Sequence, residues 1–228
     1  MRRRRKKRLF VGIICLVIAL IIVVIYIIEE KPYASRDVLA NEVSEIELSR
    51  FSEKANQSLA ETFSMPLLLQ KDKRWKDLGY GHVEKESNLA TNGCAILSLA
   101  MVLSYWRGET IEPSEILSWS GEDYYVEGQG TSWQIFEDFA YAYGLNYYGL
   151  GTDFSLVKEH LSMGRPVIVS VTQGTFTTVG HIMVLAMNQS GEIVVFDPND
   201  NPEKNHYQTT FADENFRQEA ISFWTYSN

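Results

Sequence analysis

The chain has 228 residues, 45% of them hydrophobic and 22% charged, which supplies a packed domain and excludes a disordered or low-complexity chain. Its net charge of −8 is unevenly spread: seven of the 21 basic residues lie in the first eight positions, leaving 14 basic against 29 acidic side chains beyond them. An acidic body of that kind argues against nucleic acid or an anionic lipid surface as its partner.

In chain order, residues 1–8 are a basic head and residues 9–28, "LFVGIICLVIALIIVVIYII", carry no charge. Twenty residues at about 1.5 Å each span roughly 30 Å, the thickness of a bilayer core. The apolar core of a cleaved signal peptide is about 7–15 residues long and ends at small residues. This run is longer and ends in "IYIIEE", so a transmembrane signal anchor is expected, with the lipid bilayer as its partner. The positive charges before it keep the N-terminus cytoplasmic and the body outside. Cys15 then faces lipid, and Cys94 is the single exported cysteine, without a partner for an intramolecular disulfide.

Residues 29–64 form a polar stalk in which Leu39, Val43, Ile46, Ala55 and Leu59 fall at helical spacings, and "SMP" ends it. The body, residues 65–228, begins with a glycine-containing polar loop. It continues into the helix "CAILSLAMVLSYW", stopped by "RGE", and the short helix "EPSEILSWS". Turn residues then lead to a helix burying Ile135, Phe136, Phe139 and Ala140 and ending at Gly144. A helix capped by Asp153 follows. The strands "RPVIVSV", "GHIMVLAM", "GEIVVFD" and "EAISFWTY" come last, the middle two as a hairpin. Helices followed by strands indicate an α+β domain.

Cys94 follows Gly93 and opens a helix, where the dipole favours thiolate over thiol. A nucleophilic thiol needs a base. His160 and His206 lie in polar segments and read as surface residues, and His82 is borne on a loop. His181, at the head of an apolar strand, requires a specific partner. Counting outward from the hairpin turn sets Met187 near Glu192 and residue 181 opposite 197–199. Registers pairing 181 with 197 or 199 place His181 and Asp197 on one sheet face, as an orienting carboxylate requires. Gln70 is an uncharged amide between an apolar run and a charged loop. A lone thiol without companion ligands makes no metal site, no glycine loop of the phosphate-cradling kind is present, and no cofactor is expected.

The order "QKDKRW", "NGCAILSLAMVLSYW", "EPSEI", "GTSW", "LSMGRPVIVSV", "GHIMVLAM", "VVFDPN" resembles papain-like cysteine peptidases related to the bacteriocin-leader-processing (double-glycine) peptidases, in their stand-alone exported bacterial form. The resemblance implies a central helix bearing Cys packed on an antiparallel sheet bearing His and Asp. It implies Cys94 as nucleophile, His181 as general base and acid, Asp197 as its orienter and Gln70 as oxyanion donor. In papain the helper Gln stands six residues before the cysteine; Asn88 holds that place here, so Gln70, Asn88 and the Cys94 backbone N–H all remain candidates. Processing of leader peptides is not carried over. The reading is a membrane-anchored extracytoplasmic cysteine peptidase acting on a peptide or cell-wall peptide. A cell-wall amidase or amide transferase on the same triad, or a non-catalytic tethered binding module, is the alternative; oligomeric state and substrate identity stay open. Trp75, Trp133, Tyr124 and Tyr125 are the aromatic candidates for a cleft, each with core packing as the competing role.

Overall fold

The computed structural model describes residues 44–81 and 87–228. The basic head, the apolar run with Cys15, stalk residues 29–43, and His82 lie outside the described residues. Among the described residues no helix is long and apolar enough to cross a membrane. The chain divides into two units between Glu47 and Leu48, and of the first only residues 44–47, the opening turn of a helix, are described.

That helix, α1 (residues 44–59), buries Phe51, Ala55 and Leu59, four residues apart and therefore on one face. Asn56 pins the chain that follows: its Nδ2 donates to Leu67 O at 2.9 Å and its Oδ1 accepts from Leu67 N at 2.7 Å. The short α2 (Leu89–Asn92), capped by the Asn88 side chain, runs through Gly93 into α3 (Cys94–Arg107). Gly93 has an ordinary φ of −81°, so conformational freedom does not explain it. A Cβ there would lie 2.5 Å from Leu89 O and 2.9 Å from Leu89 Cα, so close approach does.

Every residue of α3 from Ala95 to Ser104 is buried, as an all-round apolar sequence requires. The helix stops at Gly108 in the left-handed region, φ 69°. Helices α4 (Pro113–Ser120), α5 (Gln134–Tyr143) and α6 (Phe154–Ser162) form at the expected places. Asp153 caps α6 by accepting from Ser155 N and Leu156 N. A two-residue ribbon, β1 (Tyr125–Val126) against β2 (Gly130–Thr131), precedes α5.

The main sheet of the described residues is antiparallel, in the order β3 (Asn146–Gly151), β7 (Ala220–Ser227), β4 (Val167–Val171), β5 (His181–Met187), β6 (Ile193–Phe196). The edge strand β3 escaped sequence reading because Gly149 and Gly151 break its pattern, with a register shift between them. Helix α7 (Asp213–Glu219) leads into β7. Both faces of the sheet are covered. Ile168, Ile182, Val184, Phe196 and Trp224 join the core around α3, α4 and α5. Val169, Met183, Leu185, Val195 and Phe223 join a second core with Phe154, Val157 and Leu161 of α6 and Phe216 of α7. Burial on both faces is why these strands read as unbroken apolar runs.

In the hairpin, Met187 pairs with Ile193, next to Glu192; Asn188 N bonds to Glu192 O at 2.9 Å and residues 188–192 form the turn, with Gly191 at φ 82°. The ladder ends at Val184↔Phe196. Continued, it sets Met183 opposite Asp197 and His181 opposite Asn199, which keeps His181 and Asp197 on one face.

The contact at Gly93 yields a prediction. Gly93→Ala gains helix propensity but forces α2 and α3 apart, and the net expected loss is about 1–3 kcal/mol. Thermal unfolding checks it, and an unchanged midpoint would mean that α2 moves aside without cost.

Candidate active site

Helix α3 and strand β5 meet near their starts: the Ser98 hydroxyl lies 3.5 Å from Ile182 O. One turn back from Ser98 stands Cys94, and one residue back from Ile182 stands His181. Both surface in a cleft of about 520 Å³ between the helical half and the sheet. Tyr125, Gly128 and Gly130 of the β1–β2 ribbon form one wall, and Ser170, Val179 and Ile221 lie on the sheet side. The thiol is half-buried and is the one free cysteine among the described residues.

His181 is buried, and its Nε2 lies 2.6 Å from Asp197 Oδ1. The Cys94 thiol is its second side-chain partner, which leaves Nδ1 as the nitrogen for sulfur. Asp197 has no exposed surface, and its carboxylate is surrounded by donors. Asn199 N donates to Oδ1 at 2.7 Å and Lys204 Nζ to Oδ2 at 3.1 Å. His206 Nδ1 sits 2.8 Å from Oδ2, at ion-pair distance but outside hydrogen-bond alignment. Burial opposes charge on both members of the His181–Asp197 pair and is outweighed. Bonding to Asp197 and Cys94 and the charges of both raise His181 to about 9. Contacts from His181 and His206 and the charges of His181 and Lys204 hold Asp197 well below the usual carboxylate range.

His206 is therefore no surface residue, as its polar segment had indicated, but 5% exposed. The reason is local: buried Asp200 accepts from His206 N at 3.0 Å and Tyr207 N at 3.1 Å and folds the loop inward. Burial and the charge of Asp197 raise the Asp200 carboxyl despite those donors. Lys204 escaped sequence reading, as did the inward turn of His206; the signal was a Lys and a His within ten residues of an Asp-Pro strand end.

Gln70 is buried, with Nε2 donating to Leu89 O at 3.0 Å and reaching Ala90 O at 3.4 Å behind α2. Its backbone N–H bonds to Pro198 O at 2.7 Å, next to Asp197. Asn88 caps α2 by accepting from Thr91 N. Asn92, which sequence reading passed over, lines the cleft, and its Nδ2 donates to Tyr80 O at 2.9 Å. Of the aromatic candidates, Tyr125 and Trp133 reach the cleft. Trp75 is core, its Nε1 donating to Leu69 O at 2.8 Å, and Tyr124 packs on Trp119.

A thiol facing an imidazole that a buried carboxylate holds, at the junction of a helix and an antiparallel sheet, defines a cysteine-hydrolase type of site. The chain belongs to the Peptidase_C39-like family, whose model matches residues 65–227, and it is a cysteine peptidase. No curated protein matches it. Similar solved structures include the peptidase domain of Streptococcus ComA, a bifunctional ABC transporter involved in a quorum-sensing pathway. It shares 19% identity over 65% of this chain and 96% of that one, with a TM-score of 0.46. A C39-like peptidase from Bacillus anthracis shares 16% identity over 73% and 96% of the two chains, with a TM-score of 0.49. A double-glycine-motif protease from an AMS/PCAT transporter, solved with its leader peptide, shares 17% over 73% and 94%, with a TM-score of 0.44.

The shifted pair links stability to pH. The raised His181 contributes stability that is full below its unfolded value of about 6.5 and lost as pH rises through about 9. The depressed Asp197 contributes stability present above about 3.8 and lost as pH falls below it. Wild type minus Asp197→Asn should thus show its largest stability difference between about pH 4 and 6.5, shrinking towards pH 9. Denaturant midpoints across pH measure this, and a difference flat from pH 6 to 9 would refute the paired titration.

Proposed function

We propose that this chain is a membrane-anchored extracytoplasmic peptidase that cleaves peptide bonds through Cys94, His181 and Asp197. The observation that carries the reading is the convergence of thiol and imidazole in one open cleft, with Nε2 held 2.6 Å from a buried carboxylate. A tethered binding module has no need of a thiol and an imidazole side by side at a cleft with a buried carboxylate behind them. The anchor and the outward orientation rest on residues 1–28: a basic head followed by an uncharged run of bilayer length.

The chemistry follows from the donor geometry. The Cys94 proton resides on His181 Nδ1, since the raised His181 is an imidazolium at neutral pH, and Asp197 Oδ1 stabilises that imidazolium. The thiolate adds to the carbonyl carbon, and the oxyanion is received by the Cys94 backbone N–H at the start of α3, where helix amides lack intrahelical partners. Gln70, behind α2 and not among the residues lining the cleft, is the proposed second donor, by giving up its longer bond to Ala90 O, 3.4 Å, when substrate binds. The His181 proton then goes to the amine nitrogen as the C–N bond breaks, leaving an acyl thioester. Water, deprotonated by the now neutral His181, hydrolyses it, and the departing thiolate and the reprotonated imidazole restore the starting pair. Trp133, Val179 and Ile221 are exposed apolar side chains at the cleft, so the peptide presents an apolar side chain there.

Cys94→Ala is expected to lower kcat/KM by about 10⁴-fold or more on a cleaved peptide while the fold persists. Peptide turnover followed by mass spectrometry checks this, and turnover surviving in Cys94→Ala excludes the mechanism. Trp133→Ala is expected to raise KM several-fold and leave kcat within about twofold, since its contact is made equally in ground and transition states. A fall confined to kcat would remove the apolar subsite.

A further inference from the structure

The Asp197 carboxylate divides its contacts between its two oxygens. Oδ1 takes His181 Nε2 and the Asn199 N–H, at 2.6 and 2.7 Å. Oδ2 takes the Lys204 ammonium at 3.1 Å and lies 2.8 Å from His206 Nδ1. The loop between Asp197 and His206 is folded to make the second pair of contacts. Asn201 Oδ1 accepts from Glu203 N and Lys204 N, at 2.9 and 3.1 Å. Asn205 turns through the left-handed region at φ 49°, and the buried Asp200 carboxylate binds the His206 and Tyr207 amides. A lysine serving solubility would need none of this, and Lys204 keeps only a quarter of its side chain exposed.

We propose that Lys204 is a positioning residue of the peptidase site: its ammonium, with His206 beside it, anchors Asp197 Oδ2 so that Oδ1 stays aimed at His181, and its charge limits how tightly His181 holds its proton. The inference rests on the reading of His181 and Asp197 as the catalytic pair.

The groups involved can be enumerated from each side. Asp197 is faced by His181, Lys204, His206 and Asp200. His181 is faced by Asp197 and Cys94. The His206 ring is packed by Phe176 and Phe211. Lys204 is the charge in this set that can be removed without altering thiol, imidazole or either carboxylate. A cation on the far side of the carboxylate opposes the imidazolium, so its removal raises the pH at which His181 deprotonates.

The test needs no substrate. In the full-length chain in detergent, the rate of Cys94 alkylation by iodoacetamide is followed against pH, with the denaturation midpoint measured in parallel. Wild type should show an upper step near pH 9, where His181 loses its proton and frees the thiolate. In Lys204→Met the step should move up by roughly one pH unit. Lys204→Gln, which keeps a donor but not the charge, should move it as far, and Lys204→Arg should return it. A purely structural lysine would lower the midpoint and leave the step in place, and that result overturns the inference. Asp197→Asn reports separately on the underlying pair, by moving the step down towards an ordinary imidazole. If Asp197→Asn leaves the step unmoved, the catalytic pair itself fails; if it moves the step and the Lys204 variants do not, only the role of Lys204 fails.

Discussion

A carboxylate without exposed surface has to find every partner inside the protein, and Asp197 is such a group. Its ionised form persists because an imidazole, a backbone amide and an ammonium donate to its two oxygens, with a second imidazole at ion-pair distance. Removing one of these from a buried site leaves charge uncompensated, so the arrangement constrains everything near it. The loop that follows must fold back, the strand that carries His181 must start at a fixed level, and the register of the β5–β6 hairpin must keep residues 181 and 197 on one face.

The other half of the site comes from a different part of the architecture. Helix α3 is buried along its length, so its axis is set by packing against β5 and α4 and not by any requirement of the site. Chemistry is left to its first turn, where Cys94 reaches the cleft ahead of the buried stretch Ala95–Ser104. Gly93 makes this possible by admitting the backbone of α2 directly behind the thiol. The sheet is fixed just as firmly, by burial of both its faces. Cys94 and His181 thus stand on rigid elements whose contact at Ser98 and Ile182 sets their separation.

The chain matches the Peptidase_C39-like family over the residues that build both helix and sheet. Gly128 at φ 70° and Gly130 at φ 86° shape the ribbon that closes the helical side of the cleft, leaving room for a peptide backbone near the thiol. The apolar residues around it lie on two elements far apart in the chain, Val179 before β5 and Ile221 in β7.

Much of this was legible in the sequence. Local patterns determine local facts: the apolar run from Ala95 marks a buried helix, Gly108 and Gly144 mark helix ends, and Asp153 marks a cap. The hairpin count brought His181 and Asp197 within reach because antiparallel pairing is a short-range geometric rule. The edge strand β3 lacked such a signal, since its glycines erase the alternation and its partner β7 lies more than seventy residues away. His206 looked like a solvated residue of a polar loop and Lys204 drew no reading, because nothing local distinguishes a charge that faces water from one that faces a buried carboxylate. The placement of Gln70 behind α2 and of Trp133 and Tyr125 at the cleft, with Trp75 in the core and Tyr124 packed against it, was likewise decided by tertiary packing. The amino-acid sequence by itself determined that Cys94 opens a helix and that His181 and Asp197 lie at the ends of adjacent strands within reach of each other. Only the tertiary structure decided what surrounds those groups, because burial and charge partners are properties of segments distant in the chain.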